Sequence, residues 1–217
     1  MNSQVSILPP SNDQHAPPKP DVLFYDIGNS RYVNLTNACT LTCRFCPKNI
    51  CEPVVHEINL RLSRNYNAQT YIDHIGDPSA YDEIVFCGFG EPTIRLKELL
   101  EIAGYVKSVS GKVRINTDGL ANLVHKRNTL ADMSGIIDAV SASMNAQNEI
   151  IYNQHCAPKL PGSYEAMLDF LRQANNYIPD VTATAIEGLE GVDIDACEKL
   201  ATSLGVKFRC RYLDRVG

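Results

Sequence analysis

Three cysteines lie close together in the stretch NACTLTCRFCP, residues 37–47, at Cys39, Cys43 and Cys46. Their spacing is C-x3-C-x2-C, and Cys51 follows within the next few residues. Thiolates are soft ligands that favour zinc, copper(I) or iron–sulfur clusters over hard cations such as magnesium. The stretch therefore predicts a metal ion or a metal cluster.

The choice between zinc and a cluster depends on the fourth ligand. A structural zinc site normally takes four protein ligands, usually from two separated C-x2-C pairs. This sequence has no second pair, so Cys51 would have to complete a zinc site from the same tight loop. Three thiolates and an open position suit a [4Fe–4S] cluster whose fourth iron binds an outside ligand. The spacing favours the cluster, and zinc is the alternative.

The remaining cysteines predict no second metal site. The chain has 217 residues and eight cysteines, and its start lacks the charged-then-apolar layout of a signal peptide. A disulfide framework of the secreted type is therefore not expected, and the prediction is a cytoplasmic protein. Cys87, Cys156, Cys197 and Cys210 are scattered. Cys87 on a strand and Cys197 on the apolar face of a helix are expected in the core.

The bulk properties exclude several other classes of protein. No apolar run approaches the roughly 18 residues that a membrane span needs. The net charge of −5 is not the basic footprint of a nucleic-acid-binding protein. The histidines form no H-E-x-x-H motif or other dense metal signature. We therefore expect no membrane segment and no nucleic-acid partner.

The order of the predicted elements indicates an α/β fold. Residues 1–20 are rich in Pro, Ser, Asn and Gln and predict a disordered N-terminal arm, and residues 21–217 predict one domain. Two β-rich runs around Gly28 and Asn29 predict a hairpin, whose second strand leads into the cysteine loop. Strands are then predicted in YDEIVFCG, KVRINTDG, IIDAVSASMN, DVTATAIEG and VKFRCRYL, and helices in NAQTYIDHIG, TIRLKELLEIAGYVKSVSG, part of NLVHKRNTLADMS, SYEAMLDFLRQANNY and DIDACEKLATSLG.

Alternating strands and helices predict a parallel sheet covered by helices. The chain has about six such units, whereas a full eight-unit barrel needs about 250 residues. We therefore predict an open, partial TIM-like barrel of about six β/α units, preceded by the short hairpin. The cysteine loop follows the first barrel strand, and GFGEP, residues 88–92, follows the next. Both would lie at the C-terminal end of the sheet, where such barrels place their chemistry.

These motifs resemble those of radical S-adenosylmethionine enzymes. The C-x3-C-x2-C loop, with Phe45 before its last cysteine, is similar to their signature, and GFGEP is similar to their Gly-Gly-Glu-Pro-like stretch at the end of the second strand. The similarity covers residues 32–217. Within that superfamily, the segments YVNLTNACTLTCRFCPKN, FCGFGEPTIRL, RINTDGLANLVHKRN and SASMNAQNEIIYNQ resemble the small radical SAM proteins associated with TatD-type hydrolases.

The resemblance implies a metal site and a reaction. Cys39, Cys43 and Cys46 would be the catalytic residues and would ligate three irons of a [4Fe–4S] cluster. S-adenosyl-L-methionine would chelate the fourth iron through its amine and carboxylate. Reductive cleavage would then give methionine and a 5′-deoxyadenosyl radical that abstracts a substrate hydrogen. Cys51 would approach the cluster, donate a hydrogen atom or lie exposed, and direct ligation by it is not expected.

The resemblance also implies which residues bind the cofactor. The glycines of GFGEP would let backbone approach the methionine moiety, and Glu91 would either engage the ammonium group or fix the loop. An Asp–Gly turn alone would also explain Asp118. The implied cofactor-binding set is Phe45, Gly88, Phe89, Gly90, Glu91, Asn116 and Asp118 for the methionine and ribose, Ser143 and Asn145 for the ribose or carboxylate, and Ile186 and Tyr212 for the adenine.

Three further polar residues follow from the strand pattern. Ser141 alternates with Ser143 and would share its face of the sheet. Arg211, at the end of the last strand, could hold a substrate carboxylate or phosphate. Arg209 would either do the same or form a solvated strand end.

Partners and alternatives complete the expectations. The resemblance implies a small-molecule or small-group substrate, an electron donor such as flavodoxin or ferredoxin, a TatD-type hydrolase as a partner and a homodimer as one oligomeric state. A glycyl-radical-enzyme activase and a 7-carboxy-7-deazaguanine-synthase-like enzyme are alternative functions. The chain lacks the ferredoxin-like insert of many activases and the QGEG-like stretch of that synthase. A zinc- or cluster-binding scaffold without turnover is the non-enzyme alternative.

Overall fold

The computed structural model describes residues 20–49 and 58–213, together with two isolated pairs of residues, 6–7 and 54–55. Most of the predicted arm, residues 1–20, and all of Cys51 lie outside the described residues. Within the arm, Ser6–Ile7 (β1) pairs antiparallel with Val22–Ile27 (β2). The predicted disorder of the rest stays a prediction.

A hairpin begins the domain, as predicted. Strand β2 pairs antiparallel with Ser30–Val33 (β3), and Tyr25 lies opposite Tyr32. The two strands are joined by Gly28 and Asn29, and Gly28 has a positive φ of 59°. Glycine takes that conformation without the steric cost that a β-carbon would add. The hairpin sets the direction of β3, which leads directly into the cysteine loop.

Six parallel strands form the body of the sheet. They are β3, Glu83–Phe86 (β6), Val113–Thr117 (β7), Ala139–Ser143 (β8), Asp180–Glu187 (β9) and Lys207–Tyr212 (β10). They lie side by side in chain order, and β1 and β2 extend the β3 edge. Two short strands, Val54–Val55 (β4) and Ile58–Asn59 (β5), form a separate ribbon. The open, partial barrel predicted from the sequence is confirmed.

Helices follow the strands in the expected alternation. They are Ala68–His74 (α1), Leu96–Ser108 (α2), Ala121–His125 (α3), Leu130–Met133 (α4), Glu149–Cys156 (α5), Ser163–Ala174 (α6) and Ile194–Ser203 (α7), with a 3-10 turn at Pro92–Arg95 before α2. The sequence predicted no helix at α5. Across the described ranges, no helix has both the length and the apolar character needed to cross a lipid bilayer.

The two faces of the sheet differ in chemistry because successive side chains of a strand alternate. One face is apolar and packs on the helices. It includes Ile84, Phe86, Val113, Ile115, Val140, Ala142, Val181 and Ala183, all buried in the main core. The residues between them form the inner face of the barrel, and many are polar: Glu83, Arg114, Asn116, Ser141, Ser143, Thr182 and Thr184. The inner face is therefore available for binding.

Candidate active site

The cysteine loop, residues 37–47, leaves β3 at the C-terminal end of the sheet and is anchored by the end of α5. The amide of Thr42 donates to the carbonyl of Cys156 (3.0 Å), and the amide of Arg44 donates to that of His155 (2.9 Å). The last carbonyls of a helix lack partners within it, so they accept from other segments. Lys159, just beyond α5, donates its Nζ to the carbonyl of Cys39 at 2.9 Å. The helix thus holds the shape of the loop.

The three cysteines of the loop are half-buried, and none of them forms a disulfide bond within the described residues. Burial raises the pKa of Cys39 to about 12 and raises the pKa of Cys46. Contact with the Cys156 thiol, together with burial, raises the pKa of Cys43 well above its usual value. Metal binding to these groups therefore releases protons.

The donor chemistry of the loop fits an iron–sulfur cluster. Three thiols supplied by one half-buried loop are the type of ligand that such clusters use. Within residues 20–49 and 58–213, no group of three His, Cys, Asp or Glu side chains is arranged as a single metal ion would require. All seven cysteines in the described part of the chain are free of disulfide bonds. Cys197 is buried in the core, as predicted, and Cys87 is half-buried against the hairpin tyrosines.

The two glycines of GFGEP are required by contact with the start of the cysteine loop. A β-carbon on Gly90 would lie 2.3 Å from the carbonyl oxygen of Ala38 and 2.4 Å from that of Thr36. A β-carbon on Gly88 would lie 2.2 Å from the Oδ1 of Asn34. These distances are well below van der Waals contact, so only glycine fits at both positions. The predicted approach of these glycines to a cofactor stays a prediction.

Glu91 joins two loops through its carboxylate. The side chain is 4% exposed and accepts four hydrogen bonds: from the amide (3.0 Å) and hydroxyl (2.6 Å) of Thr93, the hydroxyl of Thr117 (2.8 Å) and the amide of Asp118 (2.7 Å). Three of these bonds go to Oε1 and one to Oε2, so the protein uses most of the roughly four acceptor positions of the carboxylate. Of the two roles considered for Glu91, this geometry favours fixing the loop.

Asp118 continues the same network to the cysteine loop. One carboxylate oxygen accepts from the amide of Leu120 at 3.0 Å, which forms the predicted Asp–Gly turn with Gly119 at a φ of +76°. The other oxygen accepts from the hydroxyl of Thr40. Burial raises the pKa of Asp118, and burial and the neighbouring Asp118 raise the pKa of Glu91. The loops after β3, β6 and β7 are thus held together as one unit. Contact of Asp118 with a ribose stays a prediction.

Asn145 combines a left-handed backbone conformation with a fully buried side chain. Its φ is +61°, a left-handed conformation that costs residues with a β-carbon about 1–2 kcal/mol. Its amide donates to the carbonyl of Thr184 at 2.9 Å, and its Nδ2 donates to the sulfur of Cys156 at 3.6 Å. Its Oδ1 is buried without a hydrogen-bond partner in the described part of the chain. An unpaired acceptor in such a position fits a ligand that carries N–H or O–H groups.

The remaining predicted polar residues lie on the inner face. The Oδ1 of Asn116 accepts from Arg114 at 2.6 Å, and Arg114 also pairs with Glu83 at 2.6 Å. The hydroxyl of Ser141 accepts from Arg209 at 3.2 Å. Ser143, two residues further along β8, is half-buried. The structure therefore brings these residues to one surface below the loops.

The apolar members of the predicted cofactor set are placed differently. Ile186 is buried near the end of β9, and Phe45 is half-buried against the main core. Phe89 is buried among the hairpin residues Tyr25 and Tyr32, so its side chain serves packing. Tyr212 is 53% exposed at the end of β10. Adenine contacts by Ile186 and Tyr212 stay predictions.

The sequence analysis missed the contribution of α5 and the role of Arg114. Asn148 caps α5 by accepting from the amide of Ile151 at 3.0 Å. An Asn followed by Glu149 is a helix-start signal that could have located this helix. Arg114 alternates with Asn116 along β7, and that period of two could have placed it on the inner face.

A cavity of about 270 Å³ lies beside the GFGEP and cysteine loops. Asn37, Lys48, Arg61 and Phe89 line it. A second cavity, of about 250 Å³, lies on the inner face, and its lining includes Glu83, Arg114, Ser141, Thr182 and Arg209. The first borders the loops, and the second extends along the inner face.

No protein-family model and no curated protein matches the chain. Solved structures do match. TYW1 with a lysine–pyruvate adduct bound is 13% identical with a TM-score of 0.60, over 87% of this chain and 66% of TYW1. Streptococcus suis SuiB bound to S-adenosylmethionine is 14% identical with a TM-score of 0.62, over 85% of this chain and 40% of SuiB. SuiB bound to its precursor peptide SuiA is 13% identical with a TM-score of 0.61, over 88% and 40%.

At 13–14% identity the likeness shows the fold alone. The chain spans about two thirds of the length of TYW1 and 40% of that of SuiB. The fold of this chain is therefore an open α/β barrel that it shares with TYW1 and SuiB.

Proposed function

We propose that this chain is a radical SAM enzyme with one [4Fe–4S] cluster held by Cys39, Cys43 and Cys46. The observation that carries the proposal is the joining of three loops at one end of the partial barrel. The cysteine loop, GFGEP and the Asp–Gly turn are linked through Glu91 and Asp118. The fold and the three thiols support the same conclusion independently.

When bound, S-adenosylmethionine and the reduced cluster supply a 5′-deoxyadenosyl radical that abstracts hydrogen from a substrate. The side chains of the protein would hold the cofactor and surround the reacting atoms. The unpaired Oδ1 of Asn145 can accept from an amine or hydroxyl group of the cofactor. Asn116 and Ser143 present polar groups on the inner face, and Ile186 offers apolar contact. Glu91 and Asp118 hold the three loops together.

The finer assignments rest on the sequence motifs. The four segments quoted above support a relationship to the small TatD-associated radical SAM proteins, with a TatD-type hydrolase as a partner. An electron donor such as flavodoxin or ferredoxin would supply the reducing electron, and the substrate would be a small molecule or small group. A reducing cytoplasm suits seven described cysteines that form no disulfide bonds.

The proposal is tested by analysing iron, sulfide and zinc in anaerobically reconstituted protein, followed by EPR spectroscopy of the reduced sample. We expect about four irons and four sulfides per chain, as for a cubane cluster. Adding S-adenosylmethionine should change the EPR signal, because the open iron gains a ligand. Cys39→Ala should lose the cluster.

The matched controls are Cys210→Ala and Cys51→Ala, which should keep both the cluster and the change in the signal. Cys210 lies on β10, away from the cysteine loop in the chain and on the face opposite Arg209. Stoichiometric zinc without sulfide would contradict the proposal and support a scaffold function. A signal that does not respond to S-adenosylmethionine would contradict it too.

A further inference from the structure

The last strand of the barrel presents two arginines to the inner face. In β10, Phe208 packs against the main core, so its neighbours in the alternation, Arg209 and Arg211, point to the opposite side. The side chain of Arg209 confirms this orientation towards the inner face, since it donates a hydrogen bond to the hydroxyl of Ser141 on β8. Arg211 pairs in register with Ile186 of β9, near the C-terminal end of the sheet.

Arg211 is a half-buried cation that has no anionic partner among residues 20–49 and 58–213. Its Nε is fully buried and has no hydrogen-bond partner in the described part of the chain. Burial lowers the pKa of its guanidinium from the usual value, and the charge of Arg209 lowers it further. Removing a charged group from water without a partner costs free energy, so proteins usually pair such a group with an opposite charge.

The other arginines with little exposure show that pairing is the rule in this chain. Arg31 binds Asp26 at 2.9 Å, Arg95 binds Glu98 at 2.6 Å, and Arg114 binds Glu83 at 2.6 Å. Among residues 20–49 and 58–213, no carboxylate pairs with Arg211. The charged or ionisable groups that influence it are the thiols of Cys87 and Cys43 and the guanidinium of Arg209. Within these ranges the cation is therefore not neutralised by a carboxylate.

The position of Arg211 connects it with the proposed chemistry. Arg211 pairs with Ile186 near the C-terminal end of β9, the end of the sheet at which the cysteine loop lies, and Cys43 influences its guanidinium electrostatically. Arg209 is two residues away along the strand, a spacing of about 7 Å. The cavity of about 250 Å³ bordered by Arg209 lies further along the same face, and its lining adds the hydroxyls of Ser141 and Thr182 but not Arg211. The two carboxylates in its lining, Glu83 and Asp180, pair with Arg114 and Lys207.

We infer that the inner face of β10 is an anion-binding subsite, in which Arg211, assisted by Arg209, holds a carboxylate or phosphate group of the substrate. Guanidinium groups bind both anions through charge-assisted, often bidentate hydrogen bonds. The assignment of this anion to a substrate rests on the proposed function, whereas the existence of the site does not. The subsite narrows the class of substrate to small polar molecules that carry an oxyanion near the reacting carbon.

The test is isothermal titration calorimetry of the full-length reconstituted protein at low salt, with saturating S-adenosylmethionine. Inorganic phosphate and succinate are titrated separately, so the two arms distinguish a phosphate from a carboxylate site. We expect one of the two to bind to wild type in a chloride-insensitive manner. Arg211→Gln should weaken that binding at least tenfold, and Arg211→Lys should keep part of it.

Arg172→Gln is the matched control, since Arg172 is an exposed arginine on α6 that pairs with Asp169. It should bind the anion as wild type does. Failure of both anions to bind wild type, or equal binding by Arg211→Gln, would overturn the inference. An unchanged anion affinity with a reduced S-adenosylmethionine affinity in Arg211→Gln would overturn it as well, because Arg211 would then serve the cofactor.

The outcome of this anion-binding test can be distinguished from the outcome of the test of the proposed function. Anion titration requires no turnover, so a wild-type protein that binds the anion through Arg211 but makes no 5′-deoxyadenosine would keep the site and contradict the enzyme. Circular dichroism of both Arg211 variants checks that they are folded. Arg211→Lys retains the charge, so its partial binding distinguishes a lost anion contact from a disturbed strand.

Discussion

Replacing Gly90 by alanine is expected to destabilise the protein by about 3 kcal/mol or more, because two backbone oxygens occupy the space that the new methyl group needs. The β-carbon would lie 2.3 Å and 2.4 Å from the carbonyl oxygens of Ala38 and Thr36. Backbone cannot turn aside as a flexible side chain can. The GFGEP loop would have to leave the cysteine loop, and the hydrogen bond from Glu91 to Ala38 (2.8 Å) would break.

The measurement is urea unfolding followed by circular dichroism, together with the iron content after reconstitution. Gly104→Ala is the control, because Gly104 lies within α2 and nothing approaches its β-carbon position within 4 Å. Alanine is the better helix former by about 1 kcal/mol, so this variant should be as stable as wild type or more so. Equal stability of Gly90→Ala and wild type would show that the two loops are not in contact.

Glu91→Ala is expected to cost about 3–5 kcal/mol of stability even in protein without a cluster, since buried donors that lose their acceptor retain their full desolvation cost. The substitution would remove the acceptor of four donors, the backbone amides of Thr93 and Asp118 and the hydroxyls of Thr93 and Thr117. Glu91→Gln keeps the shape but turns an NH2 group towards one of these donors, so an intermediate loss is expected. Urea unfolding of the metal-free chain measures both.

Glu101→Gln is the control, because Glu101 makes an exposed ion pair with Lys97 on the surface of α2. Such pairs contribute about 0–1 kcal/mol. The experiment also separates the two roles considered for Glu91. If Glu91 engaged a cofactor ammonium group instead, Glu91→Gln would leave the metal-free protein as stable as wild type and reduce only the affinity for S-adenosylmethionine.

Much of the fold follows from local patterns. Val113 and Ile115 alternate with Arg114 and Asn116, so the period of two defined both a strand and its two faces. The helix signal at α7 was equally local, with Asp193 accepting from the amide of Ala196 at 3.0 Å. Because alternating strands and helices favour a parallel sheet, these short-range signals were enough to predict the partial barrel.

The site was only partly predictable because its decisive contacts join distant parts of the chain. The glycines of GFGEP are visible in the sequence, but the carbonyls of Thr36 and Ala38 that approach Gly90 come from more than fifty residues earlier. The Asp–Gly turn is a local signal, whereas the bond from Thr40 to Asp118 spans 78 positions. No local pattern distinguishes a residue that fixes a loop from one that binds a cofactor.

Helix α5 was not predicted because its local sequence pattern is weak. Its apolar residues Ile150, Ile151 and Tyr152 are consecutive and therefore lack helical spacing, and Ile150 is 79% exposed. Its buried face is short, consisting of Tyr152, His155 and Cys156, so the helix depends also on its Asn148 cap and on contacts made after folding. Since α5 supplies the carbonyls that anchor the cysteine loop, the position of the proposed cluster depends on an element with weak sequence signals.

The most direct test of the proposed function is the formation of 5′-deoxyadenosine from S-adenosylmethionine by the reduced, reconstituted protein, measured by mass spectrometry. We predict that wild type and Cys210→Ala produce 5′-deoxyadenosine and methionine over time, and that Cys43→Ala produces none. If wild type that carries the cluster forms no 5′-deoxyadenosine, or if Cys43→Ala forms as much as wild type, the chain is not the radical SAM enzyme proposed.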